Sequence, residues 1–316
     1  MGPLCFMDQE NTAVNANAFI DKSEKYILSN LVESFLEYAR YELNFSPKTI
    51  EKYRDSLKSF SRDMGDKDVR ELEAQDFVIL KRKMMERGLS EARISSVIFA
   101  VRSLFNYCRS FLKIQTLDPK QIRPPKRFKR EVIFLNKEEI EAFIGSINIT
   151  KLSGLRFRAL VEVLLGTGMR ISETLSLDRK MIDWEKKEAK IIGKGNKERR
   201  IFFTDRALEW ARKYLEARSD SHEAIFVTTG EPRRLLIWDI WRFFKYHREK
   251  AQIHKKVTPH ILRHTVATNL LFNGCPIVHV KEILGHEKLD TTCKYYLGVD
   301  KEMAKKAHGQ YLNFTS

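Results

Sequence analysis

Residues 258–296, TPHILRHTVATNLLFNGCPIVHVKEILGHEKLDTTCKYY, decide how the rest of the chain is interpreted. Two clusters of titratable side chains, at 260–264 and 285–286, lie among apolar residues, and a tyrosine pair closes the stretch. The guanidinium of Arg263 stays charged at any usable pH and offers a rigid fork of donors that suits phosphate oxygens. His260 can exchange a proton near neutrality, and a tyrosine hydroxyl can attack phosphorus once its proton is removed. The stretch therefore indicates part of one site for phosphate chemistry.

The bulk composition favours a globular chain in a reducing compartment. With 316 residues the chain is long enough for two ordinary domains, and a hydrophobic content of 43% can fill two cores. No run approaches the roughly eighteen apolar residues of a membrane-spanning helix, and the N-terminus lacks a signal-peptide pattern. The four cysteines, at positions 5, 108, 275 and 293, have neither metal-ligand nor redox spacing. We therefore predict no metal site, no contact with a membrane and a cytoplasmic location.

The net charge of +15 is unevenly distributed along the chain. Residues 1–119 carry 18 Lys and Arg against 18 Asp and Glu, whereas residues 120–316 carry 39 against 24. A polyanion is the natural partner of such an excess, and it should contact the second part of the chain most. The excess could also serve solubility alone, so the motifs must decide between the two interpretations.

Apolar spacing predicts a bundle of four helices in the first part of the chain. Helical periodicity runs over four segments, which are 28–43, 47–64, 74–88 and 90–112. Ser46 and Ser90 stand where N-caps are expected. The short connections indicate a small helical domain over 25–115, preceded by a polar, flexible arm at 1–24.

A basic, proline-containing segment separates the two parts. Residues 116–133 contain Pro119, Pro124 and Pro125, which disfavour regular structure, and a dense run of Lys and Arg. We interpret this segment as an extended interdomain linker that lies along a polyanion. Solvated surface positions are the alternative for each basic candidate contact in the helices and the linker. These candidates are Lys48, Arg93, Arg102, Lys126 and Arg127.

The second part, 134–316, has the pattern of a mostly helical domain with one small sheet. Asn136 and Glu139 form a capping box at the start of a helix. A buried helix at 157–165 ends at a Gly-Thr-Gly sequence before Arg170. Strands at 188–192 and 198–203 flank a turn rich in Gly and Asn, so a hairpin is expected. Further helices are predicted at 205–218, 237–250 and 301–308. We place the tryptophans at 184, 210, 238 and 241 in the core, with stacking on nucleic acid as the alternative for an exposed one.

Four sequence boxes in a fixed order resemble the tyrosine recombinases, specifically the simple two-domain Xer-like integrases. They are GTGMRISE (166–173), GKGNKER (193–199), TPHILRHTVAT (258–268) and LGHEKLDTTCKYY (284–296). One such box is a weak signal, but four in the right order are a strong one, and the resemblance covers nearly the whole chain. It implies a mainly α fold, with an N-terminal four-helix, SAM-like core-binding domain. An α+β tyrosine-recombinase catalytic domain with a small β-sheet would follow.

Carried over residue by residue, the resemblance implies a catalytic set, which is Arg170, Lys194, His260, Arg263, His286 and Tyr295. The two arginines would bind the non-bridging oxygens of a scissile phosphate, and Lys194 would protonate the departing 5′ oxygen. His260 would act as a general acid or base, and His286 would hydrogen-bond a phosphate oxygen. Glu173 would support the first arginine. No cofactor is implied, because these cations replace metal charge and the sequence has no Walker-type loop.

Tyr295 and Tyr296 compete for the role of nucleophile. In the family the tyrosine follows the Gly-His histidine by nine positions, which selects Tyr295 after His286. Neighbours on a helix point about 100° apart, so only one of the pair can face the phosphate.

The function implied by the resemblance is site-specific recombination of double-stranded DNA through a 3′-phosphotyrosyl intermediate. It involves a tetramer on two duplexes, a Holliday junction, and a C-terminal helix, here 303–311, that docks on a neighbouring protomer. Chromosome-dimer resolution during chromosome partition and mobile-element integration or excision both stay open, as does an accessory protein. Two other classes are considered: a type IB topoisomerase-like enzyme, and a DNA-binding protein that keeps the fold without catalysis.

Overall fold

A computed structural model describes residues 26–126, 132–193, 198–286 and 309. The chain divides into two units, Met1–Lys129 and Arg130–Ser316. The described residues are mostly helical, with one small antiparallel sheet, so the predicted fold class is confirmed. Within the described ranges, no helix is long and apolar enough to cross a membrane.

The first unit is a bundle of four helices, all of them predicted from apolar spacing. They are α1 (Leu28–Tyr41), α2 (Pro47–Met64), α3 (Ala74–Glu86) and α4 (Glu91–Ser110). The hydroxyls of Ser46 and Ser90 accept the backbone N–H groups of Thr49 and Arg93, which confirms both N-caps. The apolar stripes meet in one core whose largest buried side chains include Phe35, Phe60, Phe77 and Phe105.

The beginning of the predicted linker differs from the extended segment that the prolines suggested. Residues Pro119–Gln121 form a short 3₁₀ turn, which Asp118 caps by accepting the Lys120 N–H at 2.8 Å. Ile122, just after the turn, is 1% exposed and belongs to the core of the four-helix bundle. A proline suits the first position of such a turn because its missing N–H would have no partner there. The middle of the linker, residues 127–131, lies outside the described residues.

The second unit contains a central buried helix, α6, surrounded by shorter helices and the sheet. Its helices are α5 (Lys137–Gly145), α6 (Leu152–Thr167), α7 (Ile171–Leu175), α8 (Asp205–Glu216), α9 (Ile237–Lys250), α10 (Pro259–Phe272) and α11 (Ile277–Leu284). Its strands are β1 (Ile182–Asp183), β2 (Glu188–Ile192) and β3 (Glu198–Phe202), paired antiparallel in that order. The predicted helix at 301–308 lies outside the described residues.

Local sequence motifs predicted most of these helices and strands. The capping box of α5 is confirmed, because Asn136 Oδ1 accepts the Glu139 N–H at 2.7 Å and the Glu139 carboxylate accepts the Asn136 N–H at 2.9 Å. Helix α6 begins at Leu152, five residues before the predicted start, and ends at Gly168 with φ of +64°. In the sheet, Ala189 pairs with Ile201, and both side chains are buried on the inner face.

Two of the four tryptophans contradict their predicted place in the core. Trp184 and Trp210 pack against the core of the second unit, as expected. Trp238 and Trp241 lie on α9 and are 69% and 50% exposed. Apolar residues three apart share one face of a helix, but this spacing alone does not say whether that face is covered.

Candidate active site

Arg263 lies on the buried side of α10. Thr258 caps the helix by accepting the Ile261 N–H at 3.2 Å, and Pro259 occupies its first position. The Arg263 residue is 3% exposed, and its Nη1 and Nη2 donate to the carbonyls of Gly168 and Leu284 at 2.6 and 2.5 Å. The guanidinium therefore joins the end of α6 to the end of α11.

Arg170 stands at the N-terminus of α7, where Glu173 holds it twice. The Glu173 carboxylate accepts the Arg170 backbone N–H at 2.9 Å and Arg170 Nη1 at 2.8 Å. Arg170 Nη2 donates to the carbonyl of Gly285 at 3.1 Å, and a third of the side chain remains exposed. The guanidinium is thus fixed from two sides while part of it still faces solvent.

The carbonyls that accept from the two arginines include those of two glycines with positive φ. Gly168 and Gly285 both have φ of +64°, in the left-handed region that side chains disfavour. A Cβ at Gly168 would lie 2.8 Å from Leu284 Cδ2, and a Cβ at Gly285 would lie 2.7 Å from Arg199 Cδ and Nε. The two glycines therefore allow the close packing that aims their carbonyls at the guanidinium groups.

Glu173 is buried between two guanidinium groups. Burial alone would raise the pKa of Glu173, but the Arg170 backbone N–H, the charge of Arg199 and the side-chain hydrogen bonds from Arg199 and Arg170 outweigh it and lower this pKa. Arg199 Nη2 donates to the Glu173 carboxylate at 2.7 Å, and its Nη1 donates to the Ile283 carbonyl at 2.9 Å. The carboxylate is therefore ionised at neutral pH and organises the cations around it.

Three histidines lie near Arg170 and Arg263, and the pKa of each is lowered. Burial, followed by the nearby charges of Arg263 and Arg170, lowers the pKa of His286 to about 4. His264 has its pKa lowered to about 4, first by burial and then by His260 and Arg263. Desolvation and the same two arginines lower the pKa of His260, whose ring centroid lies 4.2 Å from that of His264.

The structure brings together most, but not all, of the site residues predicted from sequence. Arg170, Glu173, Arg263 and His286 meet around the turn that ends α11, and His260 lies one turn before His264 on α10. Lys194 and Tyr295 lie outside the described residues, as does Tyr296. No group of three His, Cys, Asp or Glu side chains within the described ranges is arranged to hold a metal ion.

The predicted polyanion contacts occupy different surroundings. Lys48 and Lys126 are exposed, whereas Arg102 is half-buried and Arg127 lies outside the described residues. Arg93 reaches across to α2, where its guanidinium donates to Ser56 Oγ at 3.3 Å and the Asp55 carbonyl at 3.4 Å.

Arg199 is the member of this cluster that sequence reasoning missed. It is the last residue of the GKGNKER box, yet only the lysine of that box was singled out. The sequence could have predicted its place, because side chains two residues apart in a strand lie on the same face. The apolar Ile201 should face inward, and this places Arg199 on the same inner face. An arginine on the inner face of a strand requires a buried partner, which here is Glu173.

Comparisons with known proteins identify the family of the chain. The Phage integrase family profile matches residues 133–303, and the profile of the phage integrase N-terminal SAM-like domain matches residues 32–110. The chain belongs to the phage integrase family of tyrosine recombinases. The tyrosine recombinase XerD of Staphylococcus epidermidis is 30% identical over 294 residues, which cover 90% of this chain and 99% of the relative. XerD of Staphylococcus aureus is 30% identical over 295 residues, with the same coverage.

Solved structures of similar proteins share the recombinase fold. The XerA recombinase structure is 26% identical, with a TM-score of 0.50, and covers 90% of this chain and 99% of its own. The Tn1549 transposon integrase in complex with transposon right end DNA is 18% identical, with a TM-score of 0.74, and covers 89% and 99%. The recognition from four boxes is therefore confirmed. The chain is an enzyme of DNA breakage and rejoining, and neither the topoisomerase-like nor the silent DNA-binding alternative is favoured.

Proposed function

We propose that Arg170, Arg263 and His286 form the phosphate-binding centre of this recombinase and that Tyr295 is its nucleophile. The observation that carries the proposal is the convergence of two arginines on the Leu284–Gly285–His286 turn, with a buried carboxylate holding one of them. Guanidinium groups fixed before substrate arrives stabilise developing charge on phosphate oxygens without reorganisation during the reaction.

The proposed reaction conserves bond energy. The Tyr295 Oη–P bond forms while the bond between phosphorus and the 5′ oxygen breaks, which leaves a 3′-phosphotyrosyl link and a free 5′ hydroxyl. His260 takes the phenol proton, and Lys194 gives a proton to the departing 5′ oxygen. Attack by the 5′ hydroxyl of a second duplex reverses the step and exchanges the strand.

The lowered pKa values of the histidines suit these roles. His260 is neutral at pH 7, so it can accept the proton of the tyrosine hydroxyl. His286 is also neutral there and can donate a hydrogen bond to a phosphate oxygen without adding a further charge to the site. Burial and, after it, the arginine charges lower both pKa values, and the negative charge of the phosphate in the transition state would offset the arginine contribution.

Contacts to the DNA backbone complete the proposal for a single protomer. Lys48 and Lys126 are exposed and free to reach phosphates, and Arg102 and Arg127 remain candidates for the same role. An open cleft of about 480 Å³ between α2 and α4 is lined by Lys58, Arg62 and Arg93, among others. Such contacts position the protein on the duplex and make its affinity dependent on salt.

Assembly extends the proposal beyond the protomer. Four copies would bind two duplexes and pass through a Holliday junction, with the 303–311 segment docking on a neighbour. The domain limits we propose are an arm at 1–24, a core-binding domain at 25–115, a linker at 116–133 and a catalytic domain at 134–316. The first residues of the linker, through Ile122, pack on the core-binding domain. Action on DNA in the cytoplasm, in chromosome-dimer resolution or mobile-element movement, with or without an accessory protein, belongs to the same proposal.

The test is capture of the covalent intermediate. Duplexes bound by the full-length chain would first be selected from a random-sequence library. The selected site is then made with a nick beside the scissile phosphate, so that the short 5′-hydroxyl fragment diffuses away and traps the adduct. Wild type, Tyr295→Phe and Tyr296→Phe are compared by denaturing gel.

We expect an adduct with wild type and Tyr296→Phe and none with Tyr295→Phe. Loss only in Tyr296→Phe would move the nucleophile by one position. Tight binding without any adduct, even on preassembled four-way junctions, would contradict the proposal.

A further inference from the structure

Arg199 joins three parts of the site that are distant in sequence. It lies on β3, whose partner at the same register position is Ile191 of β2. Its two terminal nitrogens bond the Glu173 carboxylate of α7 and the Ile283 carbonyl of α11. Its side chain is 14% exposed, so these bonds are shielded from water.

Arg199 also supports the turn that receives Arg170. The Arg199 side chain lies directly beneath Gly285, where a Cβ would approach its Cδ, Nε and Cζ to between 2.7 and 2.8 Å. The carbonyl of Gly285 in turn accepts from Arg170 Nη2 at 3.1 Å. Arg199 therefore holds Arg170 by two routes, through the Glu173 carboxylate and through the Gly285 backbone.

We infer that Arg199 is a positioning residue, which fixes the phosphate-binding half of the active site, Arg170 and His286, without touching the phosphate itself. The inference rests on the proposed function. The inference is specific because there is an alternative, in which Arg199 acts through Lys194, which lies between β2 and β3 in the sequence. Action through Arg170 affects the charge on the non-bridging oxygens, whereas action through Lys194 affects protonation of the leaving oxygen.

Two features of the cluster favour action through Arg170 over action through Lys194. Glu173 connects the two arginines through a shared carboxylate, with separate bonds of 2.8 Å to Arg170 and 2.7 Å to Arg199. Burial, Arg263 and Arg170 lower the pKa of His286 most, and the positive charge of Arg199 adds to their effect. Lysine at this position would keep the charge but could not make both directed bonds of the guanidinium fork.

The experiment measures adduct formation by Arg199→Lys and Arg199→Ala on three forms of the selected site. The first has an ordinary scissile phosphate. The second has sulfur in place of the 5′ bridging oxygen, so the leaving thiolate needs no proton. The third has a methylphosphonate, which removes the charge of one non-bridging oxygen. Comparing the three substrates within one variant gives ratios of rates in which the fraction of folded protein cancels.

Arg200→Ala is the matched control, because Arg200 is the next residue of the same strand but is 62% exposed and pairs with Glu188 on the outer face. Lys194→Ala is the control for rescue by sulfur. We expect Arg199→Lys to slow cleavage of the ordinary site by about 10²-fold, the cost of a small misplacement. Sulfur should leave that loss unchanged, the methylphosphonate should shrink it to below about tenfold, and Arg200→Ala should cleave at the wild-type rate.

Rescue of Arg199→Lys by the sulfur substrate would overturn the inference, because the residue would then act through Lys194. Wild-type rates in both Arg199 variants, or an equal loss in Arg200→Ala, would also overturn it. These failures differ from failure of the proposed function, in which wild type itself forms no adduct on any of the three substrates.

Discussion

The two units of this recombinase bury charge to different extents. Within residues 26–126, Asp68 is the only charged residue that is buried, and apolar helix faces fill the core. The described part of the second unit buries a larger set, which is Arg156, Glu162, Glu173, Asp178, Arg218 and Arg263. Buried ion pairs add little net stability compared with apolar packing, because desolvation opposes their attraction. The first unit is therefore organised for packing, and the second spends stability on holding charged groups in place.

The largest expected effect comes from deleting one buried carboxylate in each unit. Glu173→Ala leaves two guanidinium groups without their carboxylate partner, so the free energy of unfolding should fall by about 3–5 kcal/mol. Asp68→Ala should cost only about 1–2 kcal/mol, because its partner Arg70 is half-exposed and can be solvated. Denaturant unfolding followed by tryptophan fluorescence reports the second unit, which contains all four tryptophans. Hydrogen exchange reports the first. Equal losses in the two units would contradict the comparison.

The second effect separates catalysis from binding. Arg263→Lys should slow adduct formation by about 10²–10³-fold, since a point charge cannot replace a fork fixed by two carbonyls. DNA affinity should change little, because many backbone contacts share it. Arg54→Lys, on the half-exposed surface of the first unit, serves as the control and should behave as wild type. A parallel loss of binding and cleavage in Arg263→Lys would assign Arg263 to general DNA binding.

A smaller effect distinguishes two glycines of similar backbone conformation. Gly88 in the first unit has φ of +72° with open space around it, whereas Gly285 has φ of +64° and lies against Arg199. Gly88→Ala should cost about 1 kcal/mol from its backbone alone. Gly285→Ala should cost about 2 kcal/mol or more and should slow cleavage about tenfold, because Arg199 must move. Thermal unfolding and the adduct assay measure the two quantities, and equal behaviour would contradict the packing around Gly285.

The smallest effect per residue is the loss of stability as the pH falls, which should begin at a different pH in each unit. All eight histidines lie after residue 220. His264 and His286 have folded pKa values of about 4 against an ordinary 6.5, so the unfolded chain binds more protons below pH 6.5. Their contribution is complete above pH 6.5 and is lost as the pH falls towards 4, on the order of 1 kcal/mol for each histidine by pH 5.5.

Asp68, with its pKa lowered to about 2 by Arg70, contributes stability that is complete above its ordinary pKa of 3.8 and is lost as the pH falls towards 2. Unit-resolved unfolding between pH 7 and 4 should therefore destabilise the second unit first. The reverse order would show that the histidines are not held neutral. His264→Gln should remove part of the dependence, whereas the exposed His254→Gln should not.

Sequence reasoning succeeded where structure is local. Ser46, Ser90 and Asn136 each cap a helix through a bond to a residue three positions on, so the motif and the contact coincide in sequence. The four boxes identified the family because their order along the chain can be read from the sequence without knowing how they are arranged in space. Helix α6 was shortened in the prediction because its first turns, LSGLR, mix Ser and Gly with apolar residues.

The contacts that build the site could not be predicted in the same way. Arg263 bonds two backbone carbonyls, and any residue type has a carbonyl, so composition carries no trace of this. Arg199 and Glu173 pair across 26 positions. Ile122 joins the core of the first unit from a proline-rich segment because burial of its side chain outweighs the local preference for extended chain.

The central claim, that the arginine-centred cluster presents a phosphate to Tyr295, is tested most directly by mapping the trapped adduct. The covalent complex formed on the nicked, selected site is digested, and the peptide that carries the nucleotide is sequenced by mass spectrometry. The account predicts a 3′-phosphate linked to Tyr295 Oη in wild type, with Arg263→Lys giving the same peptide at a much lower rate. A nucleotide on Tyr296, on another side chain, or on none at all would contradict it.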